Sequence, residues 1–254
     1  MKVMLRHWVF QCPICHAWPV RQRELPWCVN CEQTWQLLPS KALLDPRLSA
    51  VIQGHTCALS FDWPWKHPIG RFKLSQDLGW SHAWGQLMGQ ALLNDHAKAA
   101  QWNWIGMPQT PARWAQRGGY DPIALLINST QNWLQRQGVT TGPWLRHTLS
   151  KRPQVNVAQH HLSRQERWRA VNEAFVGHHP EHLLPSQANT HALLVDDILT
   201  TGATLTAAAH ALVKVGYTHI WALTLARTPA PSAPNHGQFG TFRDHHVSYR
   251  SGST

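Results

Sequence analysis

The chain has 254 residues, 43% of them hydrophobic, which is enough for one main domain with a sizeable core plus a small appendage. A formal net charge of +10, from 23 Lys and Arg against 13 Asp and Glu, favours anionic partners such as phosphates, nucleotides or nucleic acid, without choosing among them. The apolar runs are short and broken, none reaching the roughly 20 residues of a membrane-spanning helix, and "MKVMLRHWVFQCPICHAW" lacks the sustained apolar segment of a secretory signal; a soluble, cytoplasmic protein with no membrane span is expected.

The first ~40 residues carry turn-formers but no helical periodicity, and they hold four of the five cysteines. Cys12-Pro-Ile-Cys15 and Cys28-Val-Asn-Cys31 form two C-x2-C knuckles separated by twelve residues. In a reducing compartment this spacing reads as a metal site rather than as disulfides. Four thiolates can surround a structural Zn2+ tetrahedrally, and the ion replaces the core that so short a segment cannot bury. A ribbon without metal and a redox pair are the competing readings. Cys57 stands alone and is expected to be a buried thiol.

Further along, Lys41 to Ala58 reads as a helical connector and the entry to a larger domain, and the chain divides into a zinc ribbon-like module (1–45), an α/β domain (46–228) and a disordered Pro-, Ser-, Gly- and His-rich tail (229–254). Leu78 to Ala100 has apolar residues at helical spacing. "WNWIGMP" is a short strand stopping at Pro108. "DPIALLINSTQNWLQRQG" predicts a helix capped by Asp121, with Pro122 in its first position and Gly138 at its stop. The basic stretch Leu145 to Phe175 starts extended, with a helix from Ser163, and its low apolar content marks a surface excursion. "HALLVDD", "TLTAAAHALVKVG" and "THIWALTLA" then read as strand, helix closed by Gly216, and strand. Such a βαβ unit implies a parallel sheet.

The acidic pair falls at the first junction of that unit. A strand ending at Val195 delivers Asp196 and Asp197 to the carboxyl edge, where ligands of open α/β sheets bind. Thr200, Thr201, Gly202, Ala203 and Thr204 follow, leading into a helix N-terminus whose N–H groups and dipole favour an anion. Carboxylates accept hydrogen bonds from sugar hydroxyls or hold a hydrated Mg2+, while the loop holds a phosphate. The complementary ligand is a ribose 5-phosphate. A plainer reading has the two Asp merely capping a helix. No G-x4-G-K-[ST] loop is present to support a nucleoside triphosphatase.

"LLVDDILTTGATL" resembles the phosphoribosyl pyrophosphate motif of type I phosphoribosyltransferases over all thirteen positions. The resemblance implies that Asp196 and Asp197 contact the ribose hydroxyls and that Thr200 to Thr204 cradle the 5′-phosphate. A four-cysteine module ahead of such a domain is similar to the ComF family. "IGRFK" (Ile69 to Lys73), "IGMPQTPARWAQRGGYD" (Ile105 to Asp121), Arg146, Gln159 and "LSRQERWRAVNEAF" (Leu162 to Phe175) fit that family in order. Two departures stand out: Arg117-Gly-Gly-Tyr-Asp121-Pro122 replaces the usual R-G-F-[ND]-Q, and Ala170 replaces an Asn. The resemblance implies a parallel-sheet phosphoribosyltransferase fold, phosphoribosyl pyrophosphate with Mg2+, and a role in DNA uptake during natural transformation.

Transfer chemistry needs cations on the leaving pyrophosphate, and Arg113, Arg117 and Arg146, with Lys151, Arg152, Arg164 and Arg167, are the candidates. No stretch identifies a catalytic residue or a base pocket. Two other readings stay open. Fifteen Trp, some beside basic residues as in "WLRH", "ERWRA" and "ARWAQR", could stack single-stranded DNA, although most are expected to be packing residues. Alternatively the protein is a scaffold for competence or recombination proteins, without transferase activity.

Overall fold

The structure, a computed structural model, describes residues 9–10, 12, 14, 20–21, 27–36, 48, 50–62, 64–75, 78–152, 174–179 and 190–229. Its centre is a four-stranded sheet of β3 (Gly54–Ser60), β4 (Asn103–Gly106), β7 (His191–Leu199) and β8 (His219–Arg227). The strand order is β3-β8-β7-β4, and all pairings are parallel. Parallel strands need helical crossovers, and here these cover both faces. The helices α2 (Lys66–Ser75), α3 (Ser81–His96) and α5 (Pro122–Arg136) contribute to one apolar cluster, and α6 (Ala203–Val213) to the other.

The alternation of β7 shows why the strand reads as a continuous apolar run. Leu193 and Val195 pack into the first cluster, Ala192 and Leu194 into the second, and all four have no solvent exposure. Each buried Leu contributes about 2 kcal/mol by leaving water. The short antiparallel pair β5 (Leu149–Lys151) and β6 (Phe175–Gly177) lies against α6. Four smaller elements are also formed: the antiparallel pair β1 (Val9–Phe10) with β2 (Val20–Arg21), and the helices α1 (Val29–Gln36) and α4 (Pro111–Gln116).

Two expectations change. Residues near Ala58 are not helical, because Gly54–Ser60 forms the parallel edge strand β3 beside β8. Its polar positions, His55 and Thr56, are buried; His55 Nε2 meets Thr224 Oγ1 at 2.8 Å, so a mixed sequence still builds a buried strand. The strand β7 continues past Val195 to Leu199, with Asp196 in register with Thr224. The Cys-bearing segment also shares the main core: Cys12, Ile14, Trp27 and Cys31 join the cluster around α2 and α3. The Trp27 ring centroid lies 5.4 Å from Trp65, 5.8 Å from Trp80 and 5.6 Å from Trp84. The helix expected from Ser163, and the tail beyond Pro229, lie outside the described residues.

Candidate functional site

At the carboxyl edge of the sheet, adjacent residues of a strand point to opposite faces. This splits the acidic pair. Asp197 has the parity of Leu193 and Val195 and meets Lys73 of α2, whose Nζ lies 2.8 Å from each carboxylate oxygen. Asp197 Oδ1 also accepts the Ile198 N–H at 2.7 Å. Asp196 turns the other way, half-buried, and its Oδ1 accepts the Asp197 N–H at 2.8 Å.

Burial, and then the charge of Asp197, push the Asp196 carboxyl up to about 7, against the Asp197 N–H, Lys73 and Arg113, which favour its ionised form. Lys151 of β5 belongs to the same field: burial and Arg113 lower its pKa, and Asp196 opposes them. Two of the anticipated cations, Arg113 and Lys151, thus lie within electrostatic reach of Asp196.

Beyond Leu199 the chain turns through Thr200, Thr201 and Gly202 into α6. Gly202, at φ 74°, is the N-cap and offers no side chain to the helix. Thr201 Oγ1 accepts from Ala203 N at 3.5 Å, and Thr200, Thr201, Ala203 and Thr204 are exposed. A helix that starts without a side-chain cap directs N–H groups and its positive dipole end outward, the arrangement that receives a phosphate.

The other named cations are used differently. An Arg117 guanidinium N–H donates to Gln109 Oε1 at 2.9 Å, and Gln109 Nε2 donates to Asp121 Oδ1 at 2.8 Å. Asp121 caps α5 by accepting from Ile123 N and Ala124 N, as its position before Pro122 predicts. Arg117 therefore braces the loop between β4 and α5. Arg146 lies over the Trp144 ring, 3.9 Å from its centroid. Arg164, Arg167, Gln159 and Ala170 lie outside the described residues. Lys73 belongs to the "IGRFK" stretch, but no sequence signal marks its pairing, because its partner is 124 residues away.

A second site lies at the other end of the chain. The sulfurs of Cys12, Cys28 and Cys31 lie within 4.8 Å of one another and could hold a metal ion. The Cys28 N–H donates to Cys12 Sγ at 3.4 Å, so the backbone stabilises negative charge on sulfur. Cys15 lies outside the described residues. Cys57, half-buried, donates to the Leu59 carbonyl at 3.0 Å and takes no part in this group.

Residues 147–241 match the phosphoribosyl transferase domain family. The match supports a type I phosphoribosyltransferase domain, and it spans β5, β6, β7, α6 and β8, which include the acidic pair, the threonine loop and Lys151. Lys73, Arg113 and the cysteines lie outside it. No curated protein matches the chain. Among the described residues, no helix is long and apolar enough to cross a membrane.

Proposed function

We propose that the carboxyl edge binds a phosphorylated ribose, with phosphoribosyl pyrophosphate as the fitting donor. The observation that carries this is the juxtaposition on β7 and α6: an acidic pair, followed after two residues by an uncapped, hydroxyl-rich helix start. Asp196 would accept hydrogen bonds from ribose hydroxyls, and Thr200 to Thr204 would receive the 5′-phosphate. Arg113 and Lys151, which act electrostatically on Asp196, would face the charge of a pyrophosphate. Asp196 keeps acceptor capacity after taking the Asp197 N–H, which fits an Mg2+ held through water; the ion would neutralise the pyrophosphate.

The cysteine group fits structural Zn2+. Zn–S bonds of about 2.3 Å give a tetrahedral edge of about 3.8 Å, and Cys12 Sγ lies 3.9 Å from Cys31 Sγ. Cys15 would complete the four ligands. This supports a zinc ribbon-like module over 1–45 ahead of the α/β domain over 46–228. The ComF resemblance extends the reading to DNA uptake in the cytoplasm of a transformable cell, as a transferase or as a ligand-gated scaffold for competence proteins.

Calorimetry with phosphoribosyl pyrophosphate and Mg2+ tests the site. Binding by the wild type, lost in Asp196→Asn with Asp197→Asn, is the expected result; no wild-type binding rejects the assignment. Pyrophosphate release with a panel of bases and amines separates transferase from binder. Binding to single-stranded DNA that does not weaken with salt would remove the electrostatic basis of the nucleic-acid reading.

A further inference from the structure

The amino edge of the sheet, at the far end of the strands from the acidic pair, gathers indole and imidazole rings. Trp102 immediately precedes β4, and His191 and His219 open β7 and β8 as direct register partners. Register partners of a parallel sheet share a face, so these two imidazoles stand side by side. Their rings stack with centroids 4.3 Å apart and planes 12° apart, and the Trp102 ring lies 4.9 Å from His191 on its other side. His96, at the end of α3, and Trp221 of β8 continue the cluster, with centroids 4.3 Å apart.

The two strand starts are fixed against each other. The N–H groups of Thr218 and His219 both donate to the Thr190 carbonyl, at 2.9 and 3.2 Å. Side chains then orient the His219 ring. Thr218 Oγ1 donates to Thr190 Oγ1 at 3.0 Å, which commits its one hydrogen, so its oxygen accepts from His219 Nδ1–H, also at 3.0 Å. In this tautomer Nε2 carries the ring's lone pair. A hydrogen bond from one ring nitrogen to a fixed acceptor is the device that orients an imidazole and raises its basicity towards a metal at the other.

We propose that His191 and His219 form a two-imidazole site for a divalent ion of the Ni2+ or Cu2+ class, with water completing its coordination. Imidazole suits these ions, and their tetragonal or octahedral geometry sets neighbouring ligands at right angles. With metal–nitrogen distances of about 2.0 Å, two such rings have centroids about 4.5 Å apart, close to the 4.3 Å between His191 and His219. Ligation then needs rotation of the rings out of their stack, along a broad side-chain torsion, and no movement of the strands. His219 is exposed and His191 half-buried, so the ion and its waters have access. The site lies at the opposite end of the strands from the ribose-phosphate site and stands whether or not that reading does.

The test is calorimetric titration of the full chain with Ni2+, which is not reduced by thiols, in wild type, His191→Gln, His219→Gln and Thr218→Val, with the exposed His82 of α3 replaced in a control, His82→Gln. Ni2+ taken up by the cysteine group or by other histidines is common to all five proteins and cancels in the comparison. The expected result is one Ni2+ more on the wild type and on His82→Gln than on either His191→Gln or His219→Gln, and about tenfold weaker binding at that site in Thr218→Val. Because the ion binds the folded pair, Ni2+ should also raise Tm more in the wild type than in the two histidine variants. Equal Ni2+ uptake by the wild type and either histidine variant refutes the site and leaves the stacked rings as packing. Unchanged affinity in Thr218→Val refutes the orienting role of the threonine pair.

Discussion

Lys73 and Asp197 are paired through both carboxylate oxygens at 2.8 Å, joining α2 to the end of β7. The Asp197 side chain is 10% exposed and that of Lys73 29%, so the pair is only partly screened by water. Removing one member of a buried pair strands the other's charge. Lys73→Met should therefore destabilise the fold by about 2 kcal/mol, somewhat below the figure for a fully buried pair. Lys73→Arg should cost less, since it keeps the charge, and Asp197→Asn in the Lys73→Met background should recover most of the loss. Urea unfolding of the wild type, Lys73→Met, Asp197→Asn and the double variant provides the measurement, with Lys73→Arg alongside; additive single effects would show that the pair carries no coupling.

Asp196 makes stability pH-dependent in the opposite sense from an ordinary ion-paired carboxylate. Its folded pKa is raised from 3.8 to about 7. Between those values the unfolded chain binds fewer protons than the folded one at this position, so its contribution to stability falls as pH rises through this window and levels off above it. Asp196→Asn should raise Tm by a few degrees at pH 8, with the gain shrinking towards pH 4. A Tm gain independent of pH would show that Asp196 does not titrate in this range. Hydroxyl recognition needs the ionised acceptor, so ribose 5-phosphate binding should strengthen from pH 6 to pH 8.

Metal removal should be visible in tryptophan emission. Trp27 precedes Cys28 and stacks on Trp80 with ring planes 19° apart, so the cysteine group is continuous with the aromatic core. Losing the metal would free the segment that holds Trp27 there. A strong chelator, or Cys28→Ser, should shift the emission to the red and lower Tm. Purified protein that contains no metal and keeps its emission under chelation would contradict the metal assignment.

The central features were legible because local chemistry specifies them. Asp121 and Pro122 fix the start of α5. The apolar run before Asp196 reads as a strand buried on both faces, and its successor helix and strand follow the βαβ pattern. The edge strand β3 was hidden, because its buried polar groups, His55 and Thr56, are satisfied by β8 side chains distant in sequence: His55 meets Thr224 Oγ1, and Thr56 Oγ1 accepts from Trp221 Nε1 at 3.0 Å. The separation of Asp196 from Asp197 also escaped sequence reading, since it depends on β7 continuing to Leu199. Lys73 escaped for the same kind of reason: no spacing rule relates α2 to β7.

Gly202 joins the fold to the proposed phosphate site most directly. It is buried, serves as the N-cap of α6 and has a φ of 74°, a conformation in which a Cβ crowds the following carbonyl. Gly202→Ala should cost about 1–2 kcal/mol in stability from this backbone conformation alone. Relief of that strain would rotate the peptide units that open α6, and with them the N–H groups offered to a phosphate. On the proposed assignment, in which the sugar hydroxyls meet Asp196 and only the phosphate meets the loop, the variant should weaken ribose 5-phosphate more than ribose in a calorimetric comparison. Equal weakening of both ligands would assign the loss to general destabilisation, and unchanged phosphate binding in a stably folded Gly202→Ala protein would move the phosphate away from α6.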